Sequence, residues 1–176
     1  MTDHALEKHV AGICMNTLLT CIDNRLHGSE GIEPFLKTFY KTEYLKFDPV
    51  PPPGACYDFA RGQSDVRRMV RMEDIGLSID VHAPERIIIV QHMQCAKYHG
   101  TMTFRCESEE RRILLADADF TADYLRRMFP NVSVDIFLAH VDATKTVGLE
   151  SISVGLTSFQ RAPAKPADAS ADTPAS

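Results

Sequence analysis

Hydrophobic positions recur along this chain in two rhythms, one helical and one unbroken, and their alternation sets the fold class before any motif is considered. From Asp3, a fitting cap, Leu6, Val10 and Ile13 fall at helical spacing and predict an amphipathic helix ending near Asn16. Thr17 to Cys21 then reads as a strand, and Gly28 breaks the chain after it. Ile32, Phe35, Leu36 and Phe39 mark a short helix with Pro34 in its first turn, where the ring is tolerated. Tyr44 to Phe47 reads as a second strand. From Asp48 to Ala55 the prolines are too dense for a helix or a central strand, which predicts a stiff loop crossing the molecule.

Ser64 caps a long helix that ends by Ala83, because Pro84 cannot continue it. The run Ile87, Ile88, Ile89, Val90 is uniformly apolar and β-branched, the signature of a central parallel strand covered on both faces, and it stops as His92 begins. Ser108 to Met128 forms another helix, with Ile113, Leu114, Asp117, Phe120, Tyr124 and Leu125 as its inward stripe and Pro130 as its stop. Val132 to Val141 is a further strand, and Ile152 to Leu156 a short edge strand. Helix and strand alternate throughout, which predicts one α/β domain over residues 1–160, a mostly parallel central sheet flanked by helices. Beyond Arg161 the composition narrows to mostly Ala, Pro, Ser, Asp and Thr, so residues 161–176 are expected to form a disordered tail.

Charge narrows the partners. A net charge of -5 spread over mixed signs offers neither nucleic acid nor an anionic membrane a reason to bind. The cluster Arg67, Arg68 and Arg71 is followed at once by Glu73 and Asp74, as on a solvated helix face. No run is long enough to span a bilayer, and no export signal opens the chain, so a cytoplasmic protein is expected. Its 5 cysteines are odd in number and scattered, which argues for reduced thiols rather than a disulfide framework.

Two clusters carry the candidate chemistry: Cys21-Ile22-Asp23-Asn24-Arg25 and His92-Met93-Gln94-Cys95, each directly after an apolar strand. In parallel sheets the ends of neighbouring strands converge where the chain order reverses. Cys21, His92 and Cys95 then form a soft set of two sulfurs and one nitrogen suited to Zn2+, with one position left over. Two thiolates would neutralise the ion and leave its water less acidic than at an all-histidine site, favouring alkaline working pH. Asp23 and Arg25 lie on one side of the turn beyond Cys21, where a charge-assisted fork can hold the carboxylate. From there Asp23 could orient a metal-bound nucleophile, or swing in and take the last metal position itself.

Cys-x-Asp-x-Arg after the first strand, followed by His-x-x-Cys after a later Ile/Val-rich strand, resembles the beta class of carbonic anhydrases, loosely from Thr17 to His140. The resemblance implies zinc on Cys21, His92 and Cys95, a gating and orienting dyad of Asp23 and Arg25, and hydration of carbon dioxide to bicarbonate by zinc-bound hydroxide. It also implies a homodimer or higher homo-oligomer. The chain departs from the family pattern at Gln94, where Asp is usual, at Ala96, where Gly is usual, and at Pro51-Pro52-Pro53-Gly54-Ala55, which replaces a glycine-rich stretch. These departures keep open a hydrolase of a carbon dioxide analogue, carbonyl sulfide or carbon disulfide, and a non-catalytic scaffold stabilised by zinc. A metal-free thiol enzyme with Cys21 as nucleophile is disfavoured, since Arg25 follows too closely for a phosphate-wrapping loop.

The remaining chemistry-bearing residues have plainer expected roles. Cys14, Cys56 and Cys106 lack partner spacing and are expected to pack, as are Met69, Met72 and Met128. His27 is expected to be a solvated loop residue, with proton shuttling as its alternative. His99 could replace a metal ligand if its turn is helical. Tyr57 and Phe59 could line a pocket or a subunit contact, or pack in the core.

Overall fold

The computed structural model describes residues 16–41, 46–62 and 65–153. The expected N-terminal helix, the Tyr44 strand start, the Ser64 cap, the end of the strand to Leu156 and the tail after Arg161 lie outside these residues. Five strands form one sheet: β1 (Asn16–Thr20), β2 (Phe47–Val50), β3 (Arg86–His92), β4 (Ser133–Val141) and β5 (Thr146–Ser153). Their spatial order is β2-β1-β3-β4-β5; the first four are parallel and β5 runs antiparallel to β4. Among the described residues a 3-10 turn (Asn24–Leu26) and five α-helices connect them: α1 (Glu33–Tyr40), α2 (Tyr57–Ala60), α3 (Asp65–His82), α4 (Ala96–His99) and α5 (Glu107–Met128). The α/β architecture with a mostly parallel sheet is the expected one.

β3 sits at the centre, and its successive isoleucines point to opposite faces. Ile87 and Ile89 join Ile75 of α3 and Ala118, Ala122 and Leu125 of α5 on one side. Ile88 and Val90 join Leu18, Ile32 and Leu36 on the other. The uniform run is thus explained by burial on both faces.

Several boundaries differ from expectation. β2 begins at Phe47 and contains Pro49, so Asp48 to Val50 of the proline stretch form part of an edge strand rather than a loop; an edge position has an open side that needs no N–H from proline. β5 starts at Thr146, earlier than Ile152, and returns antiparallel through a tight turn in which Asp142 accepts from the backbone N–H groups of Thr144 and Lys145. On α5 the buried face is Glu110, Leu114, Asp117, Ala118, Thr121, Ala122 and Leu125, and Phe120 is exposed. Met69 and Met128 are exposed as well, contrary to a core role, whereas Met72 packs on the core.

The chain order reverses between β1 and β3: β1 is followed in sequence by β2 on one side and paired with β3 on the other. In open parallel sheets a crevice forms at the carboxyl ends of the strands flanking such a reversal. Cys21 follows β1 and His92 ends β3, so both side chains are delivered to that crevice.

Candidate metal centre

The sequence-predicted ligands meet. One ligand atom each from Cys21, His92 and Cys95 lies within 4.8 Å of the others, and all three residues are buried. The two sulfurs are 3.9 Å apart. His92 is fully buried, and its Nδ1 lies 3.0 Å from the Met93 carbonyl. A carbonyl only accepts, so Nδ1 carries the proton and Nε2 is left as a lone pair. That Nε2 atom is buried without a hydrogen-bond partner. A buried, unpartnered imidazole nitrogen beside two sulfurs is costly as it stands and is what a soft dication would satisfy.

Backbone donors prepare both sulfurs. The Gly54 N–H donates to Cys21 Sγ at 3.2 Å. The Cys95 thiol donates to Cys21, and with the Gly54 amide this holds the Cys21 pKa below its ordinary value against the opposing effect of burial. Cys95 is displaced upward because it keeps the shared proton and is buried, although the amides of Lys97 and Tyr98 oppose the shift. One thiolate is therefore already favoured, and a bound dication would favour the second.

Gly54 was not legible as a functional residue. It has φ +78, in the left-handed region, and a Cβ there would lie 2.8 Å from Lys97 Cγ and 3.0 Å from Tyr57 Cβ. The lysine stem covers the glycine, its ammonium lies 4.5 Å from the Tyr57 ring centroid, and Tyr57 meets Tyr98 edge-on at 5.1 Å. The proline-rich segment thus ends in a turn that brings a backbone amide to the Cys21 sulfur.

Asp23 and Arg25 form the expected fork. Arg25 Nη2 donates to Asp23 Oδ2 at 2.7 Å and Nε to Oδ1 at 3.0 Å, while the Arg25 backbone N–H also reaches Oδ1 at 3.0 Å. These bonds lower the Asp23 pKa to about 2, despite partial burial. The guanidinium is itself anchored by the carbonyls of Asp142, at 3.0 Å, and Gln94, at 3.4 Å. Asp23 is not part of the three-ligand group. Among the described residues no further Cys, His, Asp or Glu joins it.

The other candidates fall elsewhere. His99 is no ligand; its Nε2 pairs with Glu110 at 3.0 Å. His27 is exposed, and its Nε2 donates to the Cys21 carbonyl at 2.8 Å, which ties the loop down. Cys56 packs in the core as expected, and burial pushes its thiol up to about 12. Cys106 does not pack: it is exposed ahead of α5, 3.0 Å from the Ser108 hydroxyl, and Cys14 lies outside the described residues. Phe59 is core, and Tyr57 is half-buried beneath Lys97. The departures Gln94 and Ala96 are both exposed.

Residues 11–147 match a family model described as "Putative carbonic anhydrase". The chain belongs to this carbonic anhydrase family. Among solved structures, the chain is similar to a tetrameric beta-carbonic anhydrase from the filamentous ascomycete Sordaria macrospora, at 10% identity over 86% of this chain and 87% of that one, with a TM-score of 0.52. It is also similar to the beta-carbonic anhydrase CafA of Aspergillus fumigatus, at 9% identity over 85% and 81% of the two chains and a TM-score of 0.47. A third similar structure is the carbonic anhydrase from Glaciozyma antarctica, at 14% identity over 86% and 96%, also with a TM-score of 0.47. No curated protein matches the chain. The carbonic anhydrase resemblance read from the two motifs is thus borne out, and the fold is shared with the Sordaria structure.

Proposed function

We propose that this protein is a zinc-dependent lyase of the beta-carbonic anhydrase type that interconverts carbon dioxide and bicarbonate, with Cys21, His92 and Cys95 as metal ligands and Asp23 and Arg25 as the catalytic dyad. The observation that carries this reading is the count of donors: three converge and the nearby carboxylate is held apart. Structural zinc sites close with four protein ligands, whereas catalytic sites keep one position open. The same count weighs against a zinc-stabilised scaffold, which would need Asp23 turned inward.

Zinc in this pocket would supply a Lewis acid able to lower the pKa of a coordinated water. The chain's own residues do the rest. Arg25 holds Asp23 ionised and oriented, so its carboxylate can accept a hydrogen bond without entering the ligand group. Cys21, Met93 and Cys95 belong to one buried apolar cluster, a setting that suits an uncharged substrate such as carbon dioxide. The unit would be one α/β domain of residues 1–160 acting as a homo-oligomer, a reading supported by the tetrameric relative that shares the fold. Cys21, Cys56, Cys95 and Cys106 are unbridged, which suits the cytoplasm, and no helix among the described residues is long and apolar enough to cross a membrane.

Stopped-flow hydration of carbon dioxide by zinc-loaded protein at alkaline pH tests the proposal. Asp23→Ala should retain zinc and lose about 10²-fold or more in kcat, in the range of a general acid–base contribution. Zinc-loaded protein without hydration at any pH would sink the assignment and return the carbon dioxide analogues to consideration.

A further inference from the structure

Glu110 is the one glutamate of α5 on that helix's buried face, and only 5% of its side chain is exposed. A carboxylate on an apolar stripe is unfavourable unless it is paired and hydrogen-bonded. Its Oε1 accepts from two donors: the Gln94 backbone N–H at 2.7 Å and His99 Nε2 at 3.0 Å. Both flank the second metal-ligand cluster, one between His92 and Cys95 and the other at the end of α4. His99 is in turn seated edge-on against Phe104, with centroids 4.9 Å apart.

Gln94 needs such a partner. Its φ of +58 lies in the left-handed region, which residues other than Gly, Asn and Asp seldom occupy. This conformation turns the chain so that His92 and Cys95 face the same point. The Met93 N–H is fixed to the Ala139 carbonyl of β4 at 3.0 Å, the Gln94 N–H by Glu110, and the Gln94 carbonyl by Arg25. The turn is therefore held from three directions, and Glu110 is the only charged acceptor among the three contacts. Through Gln94 it also connects to the guanidinium that orients Asp23.

We propose that Glu110 is a positioning residue for the metal centre: its carboxylate locks the left-handed Gln94 turn, so that His92 and Cys95 are presented together and Arg25 keeps its carbonyl anchor. This rests on the reading of Cys21, His92 and Cys95 as metal ligands. Partners outside the ligand set typically change metal affinity by about 10- to 100-fold when removed.

Titration of the full-length, metal-free protein with Co2+ tests it, read by thiolate-to-metal charge-transfer and visible ligand-field bands, with Zn2+ competition giving affinities. Glu110→Ala should bind Zn2+ about 10- to 100-fold more weakly, with altered ligand-field bands. Glu110→Gln keeps an acceptor of the same reach and should stay within about fivefold of the parent, with the parent spectrum. If Glu110→Ala fails to fold, Glu110→Asp replaces it; its shorter side chain withdraws the oxygen from Gln94 and should weaken binding in the same sense. Parent protein that takes up no stoichiometric Co2+ would remove the metal reading itself. Parent protein that binds Co2+ while the Ala or Asp variant matches it in affinity and spectrum would leave the metal centre standing and overturn the role of Glu110.

Discussion

Gly54→Ala separates two effects that the structure places on one residue. Gly54 and Gly28 share φ +78, but a Cβ on Gly28 meets nothing within 4 Å, whereas on Gly54 it meets Lys97 Cγ at 2.8 Å, Tyr57 Cβ at 3.0 Å and Lys97 Cβ at 3.1 Å. The left-handed backbone costs alanine about 1–2 kcal/mol, offset by about 0.4–1 kcal/mol from the stiffer unfolded chain. Gly28→Ala should therefore destabilise by only about 1 kcal/mol. Gly54→Ala adds overpacking of about 1–3 kcal/mol, giving about 2–4 kcal/mol in all. For a chain of this size each kcal/mol lowers Tm by about 2–4 °C, so Gly54→Ala should melt well below Gly28→Ala. Equilibrium urea unfolding of the metal-free proteins measures the difference. Adding Lys97→Ala removes Cγ, the nearest of the three close atoms, and leaves Cβ, so the double variant should recover part of the loss, a coupling the four-protein cycle reads directly. Equal destabilisation by the two glycine substitutions, or strict additivity with Lys97→Ala, would refute the proposed crowding.

Two other outcomes follow from the same geometry. Tyr98 is fully buried, and its hydroxyl accepts from Gln91 Nε2 at 3.1 Å and donates to Asp117 Oδ2 at 2.9 Å, so Tyr98→Phe should cost about 1–3 kcal/mol in urea unfolding; an unchanged midpoint would contradict the network. Zinc at a thousandfold excess over its Kd should stabilise the folded chain by about 4 kcal/mol, and a chelator should reverse this; scanning calorimetry with and without chelator would expose a site that binds nothing if the two traces coincide.

The three candidate ligands were legible because their two clusters each follow an apolar run that marks a strand end, and because strand ends converge where a parallel sheet reverses order. Gly54 was hidden because its contribution is a backbone amide, which leaves no trace in residue type, and because the preceding prolines read as mere stiffness. Glu110 left a signal that went unused: it stands one helical turn before Leu114, on the apolar stripe, where a carboxylate calls for a buried partner. The short helices α2 and α4, four residues each, are too brief for periodicity to register. β5 was shortened in the reading because Gly148 and Glu150 interrupt its apolar alternation, although antiparallel pairing with β4 holds it in place. Residue type alone favours burial for Cys106 and Met69, but Cys106 lies in the extended, exposed residue just ahead of α5 and Met69 lies on the solvent face of α3.

X-ray absorption at the zinc edge of protein purified with its metal asks the central question most directly. The account predicts one zinc per chain with two sulfur neighbours at about 2.3 Å and one imidazole nitrogen at about 2.0 Å, the remaining neighbour being a light atom. Protein without stoichiometric metal, or a zinc with a different number of sulfur neighbours, would contradict it.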